Sequence, residues 1–227
     1  MELSLEDYQA GQTFLIDKPL EWSSFQAVNK IKHALKRKFN IRKIKVGHAG
    51  TLDPLATGLL VICTGKHTKT IQGIQNTDKE YTGTITLGTK SGSFDGEGPF
   101  TYDYDYSHVN QELIFTTLNS FLGKIWQKPP IHSALKKDGK PLYEYARAGI
   151  EIEVPSREVT IHKFEITSIE LPKIEFLIQC TKGTYIRSIA NDFGIAMNTG
   201  SYLSSLRRTK IGTLRVENSI GIEQWLP

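Results

Sequence analysis

Asp53 is the residue whose surroundings ask for chemistry. It sits in GHAGTLDPLATG, Gly47 to Gly58, a loop that feeds directly into the apolar run LLVIC, Leu59 to Cys63. An aspartate can act as nucleophile, as base, or as electrostatic stabiliser of a developing positive centre. An anonymous Asp-Pro pair more often just stiffens its own turn. Here Gly47, Gly50 and Gly58 permit backbone shapes and close approaches that side chains forbid. Pro54 restricts Asp53 to extended conformations. The carboxylate is thereby presented to something that comes close. A second constellation is CTKGTYIRSIANDFG, Cys180 to Gly194, with Tyr185 and Arg187 two residues apart at a strand-to-helix junction. Taken alone these are a packed tyrosine and a surface arginine. Beside a carboxylate, an arginine would keep it ionised and aimed. The third is KEYTG, where Tyr81 offers a ring that can stack on a base; alone it reads as a core tyrosine.

Other chemistries lack their residues. CTGKHTK, Cys63 to Lys69, resembles a phosphate loop but has Leu60 and His67 where that loop needs Gly and Ser or Thr. DYDYS, Asp103 to Ser107, has His108 and Ile114 where a calcium loop needs Gly and Glu. There is no GxGxxG and no GxSxG. The histidines His33, His48, His67, His108, His132 and His162 are scattered, so no metal site is expected. Cys63 and Cys180 each lie in an apolar run and read as reduced, buried thiols.

Several elements must position these groups. FLIDKP, Phe14 to Pro19, reads as a short strand ending in a turn. SSFQAVNKIKHALKRKF follows as an amphipathic helix, with Ser23 and Gln26 at capping-box spacing and Phe25, Val28, Ile31 and Leu35 at helical intervals. GLLVICTGK reads as a strand, and KEYTGTITLG alternates as a half-buried one. SGSFDGEGP reads as a surface loop. SHVNQELIFTTLNSFLG reads as a helix from a Ser107 cap to a Gly123 stop. LYEYARAG is a short helical piece, VTIHKFEITSIEL and KIEFLIQCTKG are strands, and TYIRSIANDFGIAMN is a helix. SSLRRTKIGTLRVENSI holds a turn and a strand. Helices and strands intermix without regular alternation, which predicts an α+β fold with a mixed, largely antiparallel sheet.

The chain has 227 residues, 39% hydrophobic and 23% charged, as expected of a globular protein. No apolar run approaches the ~20 residues that span a bilayer, and the acidic N-terminus lacks a signal core, so a cytoplasmic location is expected. The net charge of +4 is unevenly spread. Lys30 to Lys45 carries eight cations and no acid, whereas Ser91 to Gly123 carries five acids and neither Lys nor Arg. The basic block just before the Asp53 loop points to a polyanion near that loop, or to no more than a solvated helix face. The acidic stretch reads as solvated surface.

Six blocks in order then resemble one family: FLIDKPLEWSS, GHAGTLDPLATGLL, KEYTGTITLG, PPIHSALKKDGKPLYEYARAGIE, CTKGTYIRSIANDFG and YLSSLRRTKIG. They are similar to the bacterial tRNA pseudouridine synthases of the TruB family, which modify the uridine of the T loop (tRNA position 55). The resemblance covers nearly the whole chain. It implies the pseudouridine synthase catalytic fold, with a mixed, mainly antiparallel central sheet and flanking helices and loops. It implies that Asp53 is the catalytic aspartate, that Tyr81 packs on the flipped uracil and that Arg187 pairs with Asp53. It further implies that Tyr185 and Leu206 wall the pocket and that His48 sits against the opened T loop. Lys18, Lys36, Arg37, Lys43 and Lys45 would lie near RNA phosphates. The expected partner is the T arm of tRNA, with no cofactor, no metal, no membrane and a monomeric chain. Residues 1–227 are expected to be a single catalytic domain. A C-terminal RNA-binding domain of the PUA type, common in the family, is expected to be absent because the chain ends soon after LRRTKIG. Two alternatives remain: an RNA-binding or RNA-folding protein of the same fold, and a synthase acting on another RNA.

Overall fold

The computed structural model describes residues 3–133 and 135–225. In chain order its first half forms α1 (Leu5–Ala10), β1 (Thr13–Lys18), α2 (Ser24–Lys38), β2 (Val46–His48), β3 (Ala56–Thr64), α3 (Ile71–Gln75) and β4 (Lys79–Leu87). Next come β5 (Lys90–Ser91), β6 (Phe100–Thr101), α4 (Gln111–Asn119), β7 (Gly123–Gln127), β8 (Lys136–Lys137), β9 (Lys140–Pro141) and α5 (Leu142–Arg147). The rest is β10 (Arg157–Glu170), β11 (Lys173–Cys180), α6 (Ile186–Ala196), β12 (Ser201–Ile211), β13 (Leu214–Arg215) and β14 (Ile220–Gly221). The chain divides into two compact units, Met1–Thr82 with Leu206–Pro227, and Gly83–Ser205.

In the first unit β3 is the organising strand. It pairs antiparallel with β1 (Ile16 opposite Leu60) and β2, and parallel with β12 (Arg208 opposite Gly58). Leu60 and Ile62 on one face pack with Ile16 and with Ala27, Val28, Ile31 and Leu35 of α2. Leu59, Val61 and Cys63 on the other face pack with Ala49, Ile211 and Val216. Burial on both faces is why LLVIC is continuously apolar rather than alternating. The capping box of α2 is present in full, with Ser23 accepting from the Gln26 amide and Gln26 accepting from the Ser23 amide. Phe25 does not join the apolar stripe expected of it: it is 68% exposed, and Ala27 and Ala34 fill the buried face instead.

In the second unit β10 pairs antiparallel with both β11 and β7. Phe121, Phe164, Phe176 and Phe193 interlock in tilted and edge-on contacts between this sheet and α6. The first helix of this unit starts later than its sequence reading. Asn110, not Ser107, caps α4, because Ser107 is bound back to Asp105 in a tight local turn. Gly123 does not stop the helix, which ends at Asn119; it opens β7. Strand pairs are mainly antiparallel, as expected, and both thiols are free and buried.

Candidate active site

The loop that carries Asp53 is held at every carbonyl from Gly50 to Pro54. Arg208 donates to Gly50 O at 3.1 Å and Thr51 O at 3.3 Å. Ser24, the first residue of α2, donates to Leu52 O at 3.0 Å and accepts from the Leu52 amide at 2.8 Å. The Ala56 amide donates to Asp53 O at 3.1 Å. Pro54 O receives the Glu21 amide at 2.8 Å and the Lys18 ammonium at 3.4 Å. Buried backbone groups must find partners, and here the partners come from β1, α2, β3 and β12 at once. The half-buried Asp53 is therefore carried on a loop with little freedom to move.

Two buried cations flank this loop. Lys18 is fully buried and its ammonium donates to Pro19 O at 2.8 Å and Trp22 O at 2.5 Å besides Pro54 O. Burial pushes its pKa down to about 8, the Asp53 carboxylate opposes that, and Arg208 adds to it. Its ammonium is turned inward onto carbonyls, which corrects the expectation that Lys18 faces RNA phosphates. Arg208 is also buried, and donates to Leu59 O at 2.8 Å as well as to the loop. Burial lowers its pKa, while the Tyr81 side chain, which is hydrogen-bonded to it, and the Asp53 carboxylate both favour its charged form. A guanidinium stays protonated under these pressures. Burial and the Arg208 charge also lower the pKa of half-buried His48, against a hydrogen bond with the Gly50 backbone, so its imidazole is neutral near pH 7. His48 Nδ1 is buried without a hydrogen-bond partner.

The same unit places Leu206 opposite Ala56, three residues past Asp53. Tyr81 lies on β4 next to Glu80, whose carboxylate takes Lys210 at 2.6 Å and Thr209 at 2.8 Å and so fastens β4 to β12. Asp53, His48, Tyr81 and Leu206 thus gather around β12. Arg208, the residue at the centre of the group, is one that sequence reasoning misses. The signal available is LRRT itself: a second arginine beside Arg207 on a strand needs an anion or several carbonyls if it points inward.

Tyr185 and Arg187 belong to the second unit. Arg187 is buried and ion-paired with Asp95 at 3.2 Å, and donates to Ser93 O at 3.2 Å and His132 O at 2.8 Å. Asp95 in turn accepts from Ser93 Oγ at 2.6 Å and the Glu97 amide at 3.1 Å. SGSFDGEGP is a surface loop only in part: Gly92, Gly96, Glu97 and Pro99 are exposed, whereas Ser91, Ser93 and Asp95 are buried in a chain of hydrogen bonds that ends on the Arg187 cation. Tyr185 caps α6, and the Gln127 side-chain amide both donates to its carbonyl at 3.0 Å and accepts from its N–H at 2.8 Å. The Arg157 guanidinium lies 4.8 Å over the Tyr185 ring.

A cavity of about 630 Å³ on the first unit gathers Lys32 and Lys36 of α2 with Arg42, Lys43, Lys45, Lys66 and Lys69, and no acid lines it. Lys36, Lys43 and Lys45 therefore share one basic surface. Arg37 is exposed on the last turn of α2 but does not line the cavity. Lys66 and Lys69 come from CTGKHTK, which fails as a phosphate loop and instead forms a 3-10 turn, Gly65–Thr70. Among the described residues no cluster of His, Cys, Asp and Glu could hold a metal, and no helix is long and apolar enough to cross a membrane.

The family described as TruB family pseudouridylate synthase (N terminal domain) matches residues 36–186. The chain is 59% identical over 218 residues to a protein of Flavobacterium johnsoniae named tRNA pseudouridine synthase B, covering 96% of this chain and 95% of the relative. A Chloroherpeton thalassium protein of the same name is 52% identical, with 92% and 86% covered. Among solved structures, a Cbf5-Nop10-Gar1 complex contains a chain with TM-score 0.70 and 28% identity, matching 95% of this chain and 53% of that one. An H/ACA RNP bound to a substrate RNA containing 2'-deoxyuridine gives TM-score 0.68 and 26% identity, with 97% and 54% covered. This chain thus spans about half the length of those structural neighbours.

Proposed function

This chain belongs to the TruB family of pseudouridylate synthases, and on that premise we propose that it isomerises the T-loop uridine of tRNA to pseudouridine with Asp53 as the reacting carboxylate. The observation that carries the assignment is the fully pinned loop that holds Asp53 beside buried Arg208 and Lys18. The relatives of near-equal length, named for action on tRNA, support the substrate.

The reaction breaks the bond from ribose carbon 1′ to uracil nitrogen 1 and forms one to carbon 5. The proton on carbon 5 is lost and nitrogen 1 gains one, so the atoms balance without cofactor or energy source. The base must first leave its stack, at a cost of a few kcal/mol. Stacking on Tyr81 returns ~1–3 kcal/mol. Bond breaking leaves an electron-poor sugar centre and an anionic uracil. An ionised Asp53 meets the sugar centre as nucleophile, base or stabiliser. Tyr185, Arg187, Leu206 and His48 keep in this proposal the roles that the resemblance implies. The acid-free basic cavity suits phosphates of the T arm, whose contacts set register rather than sequence.

Release of tritium from carbon 5 of uridine in an unmodified tRNA transcript tests the proposal. The wild type should release it, Asp53→Asn should not, and changing the T-loop uridine to cytidine should abolish release. Equal release by both proteins would remove Asp53 from the mechanism. Wild-type release that survives the cytidine change would point to another site or RNA. Salt-sensitive tRNA binding without any release would favour the RNA-binding reading.

A further inference from the structure

We propose that Arg208 is the positioning residue of this reaction: one buried guanidinium that ties both ends of the Asp53 loop to β12 and fixes the Tyr81 hydroxyl to the same point. The inference rests on the reading of Asp53 as the reacting carboxylate. The three carbonyls that Arg208 grips bracket that residue, with Gly50 O and Thr51 O before it and Leu59 O after it. The backbone of Arg208 pairs with Gly58, so a single position on β12 grips the loop by main chain and side chain together. The approach is close enough that a Cβ on Gly58 would meet Arg208 O at 2.4 Å and Arg208 N at 2.9 Å. The Tyr81 side chain adds a fourth partner, which links the ring expected to stack on uracil to the loop that carries the carboxylate.

Stability alone is a poor reason for this residue. Burying a guanidinium costs free energy, and apolar replacements of buried charges are often neutral or stabilising. Lys18, a second buried cation acting on the same loop, makes matters worse, since each charge disfavours the other. What a planar fork of donors supplies, and a compact ammonium cannot, is fixed geometry toward several carbonyls at once. Displacing reacting groups by about 1 Å costs on the order of 100-fold in rate. Arg208 therefore acts through Asp53 and Tyr81, not on the RNA.

The test compares wild type, Arg208→Lys, Tyr81→Phe and the double variant. Single-turnover tritium release, tRNA affinity by filter binding and thermal melting are measured on each. Arg208→Lys should fold and bind tRNA within about threefold of wild type, yet release tritium about 100-fold more slowly. The double variant should be no slower than the slower single variant, because both substitutions break one connected arrangement. A full rate per folded molecule for Arg208→Lys, or strictly multiplicative losses in the double variant, would overturn the proposal. If Arg208→Lys does not fold, Tyr81→Phe decides: a full rate would overturn the proposal, and a loss at unchanged affinity would support it. Absence of release from the wild type would instead refute the functional reading on which the inference stands.

Discussion

Replacing Gly58 by alanine should damage stability and chemistry together. Gly58 has φ near +100°, a region that L side chains rarely adopt. Placing a side chain at such positive φ costs roughly 1–2 kcal/mol. The new Cβ would also lie 2.4 Å from Arg208 O and 2.9 Å from Arg208 N. Both are backbone atoms of a paired strand, so they cannot swing aside as a side-chain tip would. Relief requires β3 and β12 to separate locally, a misfit of the size that typically costs about 1–3 kcal/mol. The total of about 2–5 kcal/mol corresponds to a melting temperature lower by roughly 4–20 °C for a chain of this length. Gly73→Ala is the control. Gly73 lies in α3 with open space around it, so alanine there should be neutral or stabilise by up to about 1 kcal/mol. Thermal unfolding followed by circular dichroism separates the two. Tritium release at a temperature where both variants stay folded should be slowed only by Gly58→Ala, since only that change moves Arg208. A Gly58→Ala protein that melts with the Gly73→Ala control would refute the close approach on which the loop argument depends.

Two further outcomes follow from charges in each unit. Asp95→Ala should destabilise by about 3–5 kcal/mol in chemical denaturation, because it removes the carboxylate that is ion-paired with the buried Arg187 guanidinium; Asp95→Ala with Arg187→Met should recover part of that loss, and an unchanged midpoint for Asp95→Ala would mean the pair contributes nothing. Lys36→Glu with Lys43→Glu should weaken tRNA binding and flatten the dependence of log affinity on log salt by about 0.7–0.9 for each phosphate that is no longer neutralised; an unaltered slope would take the basic cavity out of the RNA interface.

What the sequence made legible was local. The capping box of α2 and the doubly buried β3 each follow from spacing within one element, and the structure has both; the alternation expected of β4 holds only at Ile85, Thr86 and Leu87, since Tyr81 to Thr84 are all half-buried. The glycines of GHAGTLDPLATG also spoke for themselves, since Gly50 and Gly58 both have positive φ. Partnerships across distant positions were not legible. Asp95 reads as one more acid in a turn-rich loop until β10, β11 and α6 are assembled and Arg187 is found against it. Lys18 ends a strand and looks available to solvent; only the turn through Trp22 and the approach of Pro54 bury it. Arg208 is separated from Gly50 and Thr51 by more than 150 residues. Phe25 fits the helical period, yet periodicity cannot say that the apolar stripe ends before it.

The placement of charge in the first unit divides into two kinds with different physics. The cations around the basic cavity are mostly exposed, so salt screens their reach to about 8 Å at physiological ionic strength. They suit capture and register of a polyanion, a task that tolerates loose geometry. Lys18 and Arg208 are buried, weakly screened, and committed to carbonyls of a single loop. They contribute nothing to capture, and their mutual repulsion would be a pure cost in a protein that only bound RNA. That cost is offset where a carboxylate must stay charged in a drying pocket and hold its direction while a base is cleaved from its sugar. With Asp53 as the proposed reacting carboxylate, the buried pair of cations, more than the exposed lysines, is what favours an enzyme over an RNA-binding protein of the same fold.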